Sequence, residues 1–283
     1  MQRFARKATS AFPARLGKLR MEITTFASGS KGNCCFVKAG DTALLIDAGI
    51  SFARIKKQLA ELCYAPDDLQ GVFVTHEHSD HVKGLLTLLK KTELPVYAPA
   101  LVAKSLRGML PCFADRICTI PVRQPIKVEE LTVTSFETPL DTPQSVGYRV
   151  DRGSESFSLC TDLGHITDEV LDHITYSGSV LIESNHDVTR LRLSNYPVYL
   201  QERILSNRGH LSNEACARMA VWLAEHDTKQ FILGHISQES NTHRMAMTVV
   251  GGALAEAGYG DLLCVTAPQD EQITVFERGV ASC

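Results

Sequence analysis

The segment at residues 74–81, Val-Thr-His-Glu-His-Ser-Asp-His, constrains this chain of 283 residues more than any other. It follows an apolar run at 71–75 that predicts a buried strand. Three histidines and two acids occupy five of the six positions from His76 to His81. Imidazole and carboxylate groups bind zinc, manganese or iron, and this spacing lets alternate residues face one ion while the last two face another. The segment therefore predicts a loop that binds two adjacent metal ions, although a polar surface loop rich in histidine is the simpler alternative.

Two further residues have the chemistry of ligands and follow predicted strands. Asp162 comes two residues after the predicted strand 156–160, and His235 comes two residues after the predicted strand 230–233. Taken alone, Asp162 is more typical of a turn or a helix cap, and His235 of a half-buried histidine with satisfied hydrogen bonds. Together with the loop at 76–81, both are predicted to be metal ligands.

The remaining pattern indicates one α/β domain. Strands at 22–27, 34–38 and 42–46 predict an antiparallel opening sheet, and Ser51 can cap a helix whose apolar residues recur at helical spacing. Helices and strands then alternate, and no linker or internal repeat divides the chain. Further helices are predicted at 81–91, 99–109, 168–174, 197–206, 212–225 and 239–255. Further strands are predicted at 95–98, 131–136, 146–150, 179–183, 262–266 and 272–276.

Composition limits the class of protein. No apolar stretch approaches the roughly 20 residues that span a bilayer, so no membrane association is expected. The nine cysteines are scattered and form no Cys-x-x-Cys pair, which favours a reducing, cytoplasmic location over a disulfide framework. Outside the first twenty residues the chain has 23 basic and 32 acidic residues, and this acidic balance argues against a large nonspecific surface for polyanions but leaves room for a local basic patch.

The first twenty residues form a separate, basic segment without acids. We expect residues 1–20 to be a disordered extension and residues 21–283 to be the folded α/β domain that contains the predicted metal loop. An organellar transit peptide, a basic arm or a start codon before Met21 are alternative interpretations. The basic residues are Arg3, Arg6, Lys7, Arg15, Lys18 and Arg20.

Several segments occur in the order found in a known family. They are ASGSKGNC from Ala27, LIDAG from Leu45, the loop at 76–81, TDLG from Thr161, ESNHD from Glu183, GHLSN from Gly209 and LGHIS from Leu233. In these segments the chain resembles the metallo-β-lactamase superfamily, and more closely its YycJ (WalJ, VicX) branch, over nearly all of residues 21–283.

The resemblance implies an αββα sandwich of two mixed sheets flanked by helices, with two divalent metal ions (zinc or manganese, or else iron) at one edge. By the family pattern, His76 and His78 bind the first ion, Asp80, His81 and His235 bind the second, and Asp162 bridges them. The branch has a further histidine ligand where this chain has Leu140. Leucine cannot bind a metal, so the first site is expected to be weaker, completed by a neighbour such as Asp141, or filled only with substrate.

Residues around the predicted metals indicate the substrate. His210 precedes a predicted helix N-terminus, which favours an anion such as phosphate. It resembles the histidine that contacts phosphate and protonates the leaving oxygen in phosphodiesterase members of the superfamily, and Glu183 resembles the carboxylate partner of that histidine. The alternatives are that His210 makes a helix-capping contact and that Glu183 is a surface acid. Asp80, His210 and Glu183 are the predicted catalytic residues. Further basic residues, which form either a phosphate contact or a solvated face, are Arg190, Arg192, Arg203 and Arg208. Polar residues with either a site-lining or a structural role are Asn185, His186, Asn241 and His243.

These features favour a metal-dependent phosphodiesterase that uses a hydroxide bridging the metals. The family resemblance implies an exonuclease that acts on nucleic acid, DNA rather than RNA, from the 5′ end. A hydrolase of a small phosphodiester, thioester or lactone is the second hypothesis. A noncatalytic regulatory member of the fold, disabled by Leu140, is the third.

Overall fold

The computed structural model describes residues 20–276, which form fourteen strands and nine α-helices. The strands are β1 Glu22–Ala27, β2 Cys34–Ala39, β3 Thr42–Ile46, β4 Val72–Phe73, β5 Val96–Ala98, β6 Ile117–Thr119, β7 Ile126–Val128, β8 Leu131–Glu137, β9 Val146–Arg152, β10 Glu155–Cys160, β11 Ser179–Glu183, β12 Gln230–Gly234, β13 Leu263–Thr266 and β14 Ile273–Phe276. The helices are α1 Phe52–Glu61, α2 Ser79–Val82, α3 Leu85–Lys91, α4 Ala100–Met109, α5 Asp168–Ile174, α6 Val188–Arg192, α7 Val198–Leu205, α8 Asn213–Glu225 and α9 His243–Glu256.

The strands form two seven-stranded sheets. The first has the order β14-β1-β2-β3-β4-β5-β6 and the second β13-β12-β11-β10-β9-β8-β7. β1, β2 and β3 pair antiparallel, as predicted, whereas β3 to β6 run parallel. In the second sheet β10 to β13 are parallel, and β7 to β10 are antiparallel. Each sheet therefore contributes a set of parallel strands whose carboxyl ends lie at one edge.

Three apolar layers hold the sheets and helices together, because successive strand residues point to opposite faces. In β3, Leu44 packs between the two sheets with Phe157, while Leu45 packs on the outer face against helices α1, α3 and α4. A third layer joins the second sheet to α5, α8 and α9 through residues such as Ile182 and Leu223. This order of helix, sheet, sheet and helix confirms the predicted αββα sandwich.

Most predicted elements occur within a few residues of their predicted bounds, and the differences have local causes. The helix predicted at 81–91 is divided into α2 and α3 near Gly84, where an added Cβ would lie 1.9 Å from the Ile50 carbonyl oxygen. The helix predicted from 239 begins only at His243, because Thr242 caps it by accepting a hydrogen bond from the Met245 N–H. The short strands β6 and β7 and the helix α6 were not predicted.

Three sequence predictions concern features outside the metal loop. Apart from Arg20, the predicted extension at 1–20 lies outside the described residues. The eight cysteines within the described part are all free. Across residues 20–276, none of the helices has the length and apolar character needed to cross a bilayer.

Candidate metal centre

The parallel strands of both sheets bring polar side chains to one edge of the sandwich. Asp47 and His76 follow β3 and β4 in the first sheet. Asp162 and His235 follow β10 and β12 in the second, and Glu183 ends β11 between them. Because the sheets pack face to face, these five residues from distant parts of the chain converge on one site.

Three of these residues have an unusual backbone conformation. Asp47, Asp162 and His235 have φ angles of 62°, 57° and 51°. Residues other than glycine rarely enter this left-handed region, and such strain concentrates at functional sites. The conformation turns the chain sharply at the strand end, so that the side chain is held at the sheet edge.

Three overlapping groups of ligand-type side chains form at this edge, and within each group the ligand atoms lie within 4.8 Å of one another. One group contains His76, His81 and Asp162, and another contains Asp80, His81 and His235. The third group consists of Asp162, Glu183, His210 and His235. Five of the six predicted ligands therefore lie in these groups, and His78 lies beside them with its ring centroid 4.6 Å from that of His76.

Several atoms in these groups are buried without a hydrogen-bond partner among the described residues. They are His76 Nε2, Asp162 Oδ2 and His235 Nε2. Asp162 Oδ2 lies 3.2 Å from His81 Nε2 but makes no hydrogen bond with it. Buried polar atoms without partners are costly, whereas convergent nitrogen and oxygen atoms around a cation are satisfied by it. The arrangement therefore fits divalent metal ions of the type that nitrogen and oxygen ligands select.

The electrostatics of the groups are consistent with a cation site. Burial favours the neutral form of Asp162, but the His235 and His81 imidazoles hold the pKa of its carboxyl well below the usual value. Burial opposes charge on His81 as well, yet Asp47 and Asp162 raise its pKa well above the usual range. Burial, together with the nearby His81, lowers the pKa of His76. Positive charge is thus favoured between these carboxylates.

Asp47 orients His81, a role that sequence reasoning did not assign. Its carboxylate accepts hydrogen bonds from His81 Nδ1 at 2.7 Å, from the Thr75 N–H at 2.9 Å and from the Thr75 hydroxyl at 2.9 Å. With Nδ1 acting as the donor, Nε2 of the neutral His81 ring keeps its lone pair, which faces the Asn33 amide nitrogen at 3.0 Å and would be available to a metal ion. The sequence signal for Asp47 was an aspartate at the end of an apolar strand, as for Asp162, which follows its strand by two residues.

Close backbone packing fixes the loop that contains Asp80. The Asn33 N–H donates to the Asp80 carbonyl at 2.7 Å, and the Gly49 N–H donates to the Asn33 carbonyl at 2.8 Å. A Cβ atom added to Gly49 would lie 1.6 Å from the Asp80 carbonyl oxygen. Only glycine permits this approach, so the segments around 33 and 49 set the position of the metal loop.

Glu183 is buried and links two histidines, and it is not the surface acid of the alternative interpretation. One carboxylate oxygen accepts from His235 Nδ1 at 2.6 Å and from His210 Nδ1 at 2.9 Å. The other accepts from the backbone N–H groups of Leu163 and Leu211 at 2.8 and 3.0 Å. Burial opposes its ionisation, but the two histidines lower the pKa of Glu183 to about 2. Glu183 therefore orients both a predicted ligand and His210.

His210 lies where it can reach a group bound at the centre. Its Nδ1 atom is 3.7 Å from Asp162 Oδ1, and its ring centroid is 5.2 Å from that of His235. Burial disfavours its charged form, yet Glu183 raises the pKa of His210. The capping role is filled by Ser212, whose hydroxyl accepts from the Ala215 N–H at the start of α8.

The position of Leu140 contributes no ligand. Its side chain is buried, and its carbonyl oxygen accepts from Arg208 Nε at 3.0 Å. The neighbouring Asp141 pairs with Arg203, whose Nε lies 2.5 Å from Asp141 Oδ2. In this conformation, the Asp141 carboxylate is therefore already paired with an arginine.

Only some of the predicted basic residues lie near the candidate metal centre. Arg203 lines a cavity of about 160 Å³ beside His210, together with Tyr196 and Asn185. Arg190 instead donates to the Glu239 carbonyl. Among the other polar residues, Asn241 is structural, because its buried amide donates to the Ser184 and Asn185 carbonyl oxygens. His243 is exposed in the first turn of α9.

Comparison with known proteins agrees with this geometry. A family model described as a beta-lactamase superfamily domain matches residues 42–236, and the chain belongs to this metallo-hydrolase superfamily. Among solved structures, the metallo-beta-lactamase fold protein YhfI from Bacillus subtilis superposes with a TM-score of 0.69 at 16% identity, covering 91% of this chain and 100% of that one.

Curated relatives give a narrower grouping. The chain is 32% identical over 250 residues to exodeoxyribonuclease WalJ from Streptococcus pneumoniae, which covers 87% of this chain and 92% of the relative. It is also 32% identical over 243 residues to exodeoxyribonuclease YycJ from Bacillus anthracis, with 85% and 91% coverage. These matches confirm the resemblance to the YycJ branch.

Proposed function

We propose that this protein is a metal-dependent exodeoxyribonuclease that hydrolyses phosphodiester bonds from a 5′ end. The observation that carries the proposal is the His210–Glu183–His235 contact, which joins a proton donor to the metal centre through one buried carboxylate. The names of the relatives supply the choice of DNA and of exonucleolytic action.

Different residues of the chain have different roles in the proposed hydrolysis. Divalent ions at this site would activate water and neutralise charge on a phosphoryl oxygen. His210, oriented by Glu183, donates a proton to the leaving oxygen. His81 and His235 are held in the ligand tautomer by Asp47 and Glu183. Asp80 completes the metal loop, 3.4 Å from His81 Nε2.

We propose two ions of unequal affinity, with zinc or manganese as the metal. Asp80, His81, Asp162 and His235 hold the stronger ion, while His76, His78 and Asp162 hold the weaker one. The weaker site lacks a histidine because position 140 is leucine. The free cysteines of the described chain support a reducing, cytoplasmic location for the enzyme.

The test compares two substrates in wild-type protein and in His210→Ala. One is end-labelled DNA, whose leaving alkoxide needs a proton, and the other is bis-p-nitrophenyl phosphate, whose nitrophenolate does not. We expect kcat on DNA to fall about 10²- to 10⁴-fold in His210→Ala, with a much smaller loss on the nitrophenyl ester. Equal losses on both substrates would contradict the proton-donor role.

The matched control is His243→Ala, which removes an exposed histidine outside the centre. It is expected to retain wild-type rates on both substrates. Strands labelled at the 5′ or 3′ end, in DNA and RNA forms, determine polarity and sugar preference. If the metal-loaded wild-type protein cleaves the nitrophenyl ester but neither nucleic acid, the small-phosphodiester hypothesis replaces this one.

A further inference from the structure

Two hydrogen bonds fasten the loop between β8 and β9, residues 138–145, to the candidate metal centre. The Gly164 N–H donates to the Pro139 carbonyl oxygen at 3.0 Å, and Gly164 follows the predicted bridging aspartate by two residues. The Thr142 hydroxyl donates to Glu77 Oε1 at 2.7 Å, and Glu77 stands between the first two histidines of the metal loop. The two loop residues between these anchors are therefore held next to the centre.

Of these two residues, Leu140 and Asp141, the aspartate is the one that faces His210. Leu140 lines a separate cavity of about 360 Å³, whereas Asp141 lines the cavity of about 160 Å³ that His210 and Arg203 also line. The Arg203 guanidinium holds the pKa of Asp141 below its usual value, against the opposing effect of burial, and His78 and His210 lower it further. The carboxylate thus lies within electrostatic reach of His78, a predicted ligand of the weaker ion.

The ion pair between Asp141 and Arg203 is of a kind that can open. Arg203 lies in the last turn of α7, and the side chains of Asp141 and Arg203 are 32% and 56% exposed. Ion pairs with this exposure contribute little net free energy, because water competes for both charges. A divalent cation carries twice the charge of a guanidinium and attracts the same carboxylate more strongly. A metal ion beside His78 can therefore compete with Arg203 for Asp141.

We infer that Asp141 is a fourth ligand of the weaker ion and that Arg203 opposes this binding by pairing with the same carboxylate. The inference rests on the proposed function, because it takes from it the two sites of unequal affinity. His76, His78 and Asp162 supply three ligands, and the Asp141 carboxylate would take the place of the histidine that is missing at position 140. Carboxylate oxygen is a suitable ligand for both zinc and manganese. The affinity of the weaker site is then set by competition between the ion and the arginine.

The experiment measures metal binding and does not depend on turnover. Mn²⁺ is titrated into metal-free protein, and free Mn²⁺ is followed by electron paramagnetic resonance, which gives a dissociation constant for each ion. Asp141→Asn is expected to weaken binding of the second ion about tenfold or more, since loss of a contact behind a ligand already costs about 10- to 100-fold. An unchanged dissociation constant for the first ion shows that this variant remains folded. Arg203→Met is expected to tighten binding of the second ion about two- to fivefold, because it removes the competing ion pair.

A double-mutant cycle separates competition for Asp141 from simple repulsion between Arg203 and the ion. In the Asp141→Asn background, Arg203→Met is expected to leave the second ion's affinity unchanged, because no carboxylate remains to be released. Repulsion alone would give the same gain with and without Asp141. The matched control is Arg244→Met, which removes an exposed arginine on α9 and is expected to bind both ions as the wild type does.

The outcomes separate this inference from the proposed function. If the wild-type protein binds two ions but Asp141→Asn binds the second as tightly as the wild type, Asp141 is not a ligand and only the inference is wrong. No tightening in Arg203→Met, or equal tightening with and without Asp141, would overturn the competition. A wild-type protein that binds a single ion refutes the inference, and one that binds none refutes the proposed function as well. If the variants behave as expected but no nucleic acid is cleaved, the proposed function fails and the role of Asp141 stands.

Discussion

Replacing Asp47 by asparagine tests whether a buried carboxylate controls the predicted metal ligand His81. Asparagine tolerates the left-handed backbone found at this position, where φ is 62°, so the fold is expected to survive. The change replaces one carboxylate oxygen by an amide N–H donor. Since the Thr75 N–H donates to Oδ1, the amide oxygen of asparagine keeps that position, and its NH₂ group takes the position of Oδ2, which faces His81 and the Thr75 hydroxyl.

The consequence for His81 follows from its two nitrogens. Nδ1 now meets a donor instead of an acceptor at 2.7 Å, so the ring moves its proton to Nε2 or rotates away. Either response removes the lone pair that would bind the metal. Loss of such a supporting contact typically weakens metal binding 10- to 100-fold, which is about 1.4 to 2.8 kcal/mol.

The assay is a competition titration of zinc or manganese against a chromogenic chelator, with metal content checked by mass spectrometry. Asp151→Asn is the control, because Asp151 lies on β9 and pairs with Arg149 away from the centre. We expect the control to bind metal as the wild type does. An unchanged dissociation constant in Asp47→Asn, in a protein that remains folded, would refute the argument that Asp47 sets the tautomer of His81.

Three further predictions concern the metals themselves. Asp80→Ala should abolish turnover on every substrate, because it removes a predicted ligand that lies 3.4 Å from His81 Nε2; full activity in this variant would contradict the assignment. Leu140→His should raise the metal content toward two ions per chain, measured by mass spectrometry, and unchanged content would mean that another residue completes the site. Removal of metal with a chelator should lower Tm, because buried atoms of predicted ligands, such as His76 Nε2, lose their partner. Tm should recover when manganese or zinc is added. A Tm that does not respond would argue against a metal at these atoms.

The metal residues could be proposed from the sequence because the loop at 76–81, Asp162 and His235 each follow the end of an apolar strand within three residues. His76, Asp162 and His235 could therefore be assigned to strand ends before their neighbours were known. Parallel pairing of β3 with β4, and of β10 with β11 and β12, then places those ends at a common edge. Local sequence patterns were enough to place these residues, because strand periodicity shows where a strand ends and the polar residues stand at those ends.

Other features depend on contacts that no local pattern contains. The division between α2 and α3 comes from packing of Gly84 on the Ile50 carbonyl, which is distant in sequence. The three-residue strands β6 and β7 are too short for a periodic signal and are defined by their pairing partners. The buried state of Glu183 is likewise tertiary, since it depends on β11 lying between β10 and β12.

The contacts behind the ligands explain why Leu140 can be accommodated. His81 and His235, proposed ligands of the stronger ion, donate to the carboxylates of Asp47 and Glu183, which make imidazole a better ligand. His76, proposed for the weaker ion, has only the Thr75 hydroxyl at its Nδ1 atom, 3.0 Å away. In the proposed arrangement, two buried carboxylates that do not depend on position 140 would support one ion. Leucine at position 140 would then weaken only the ion with less support, and the contact of His210 with the proposed ligand His235, through Glu183, does not involve position 140.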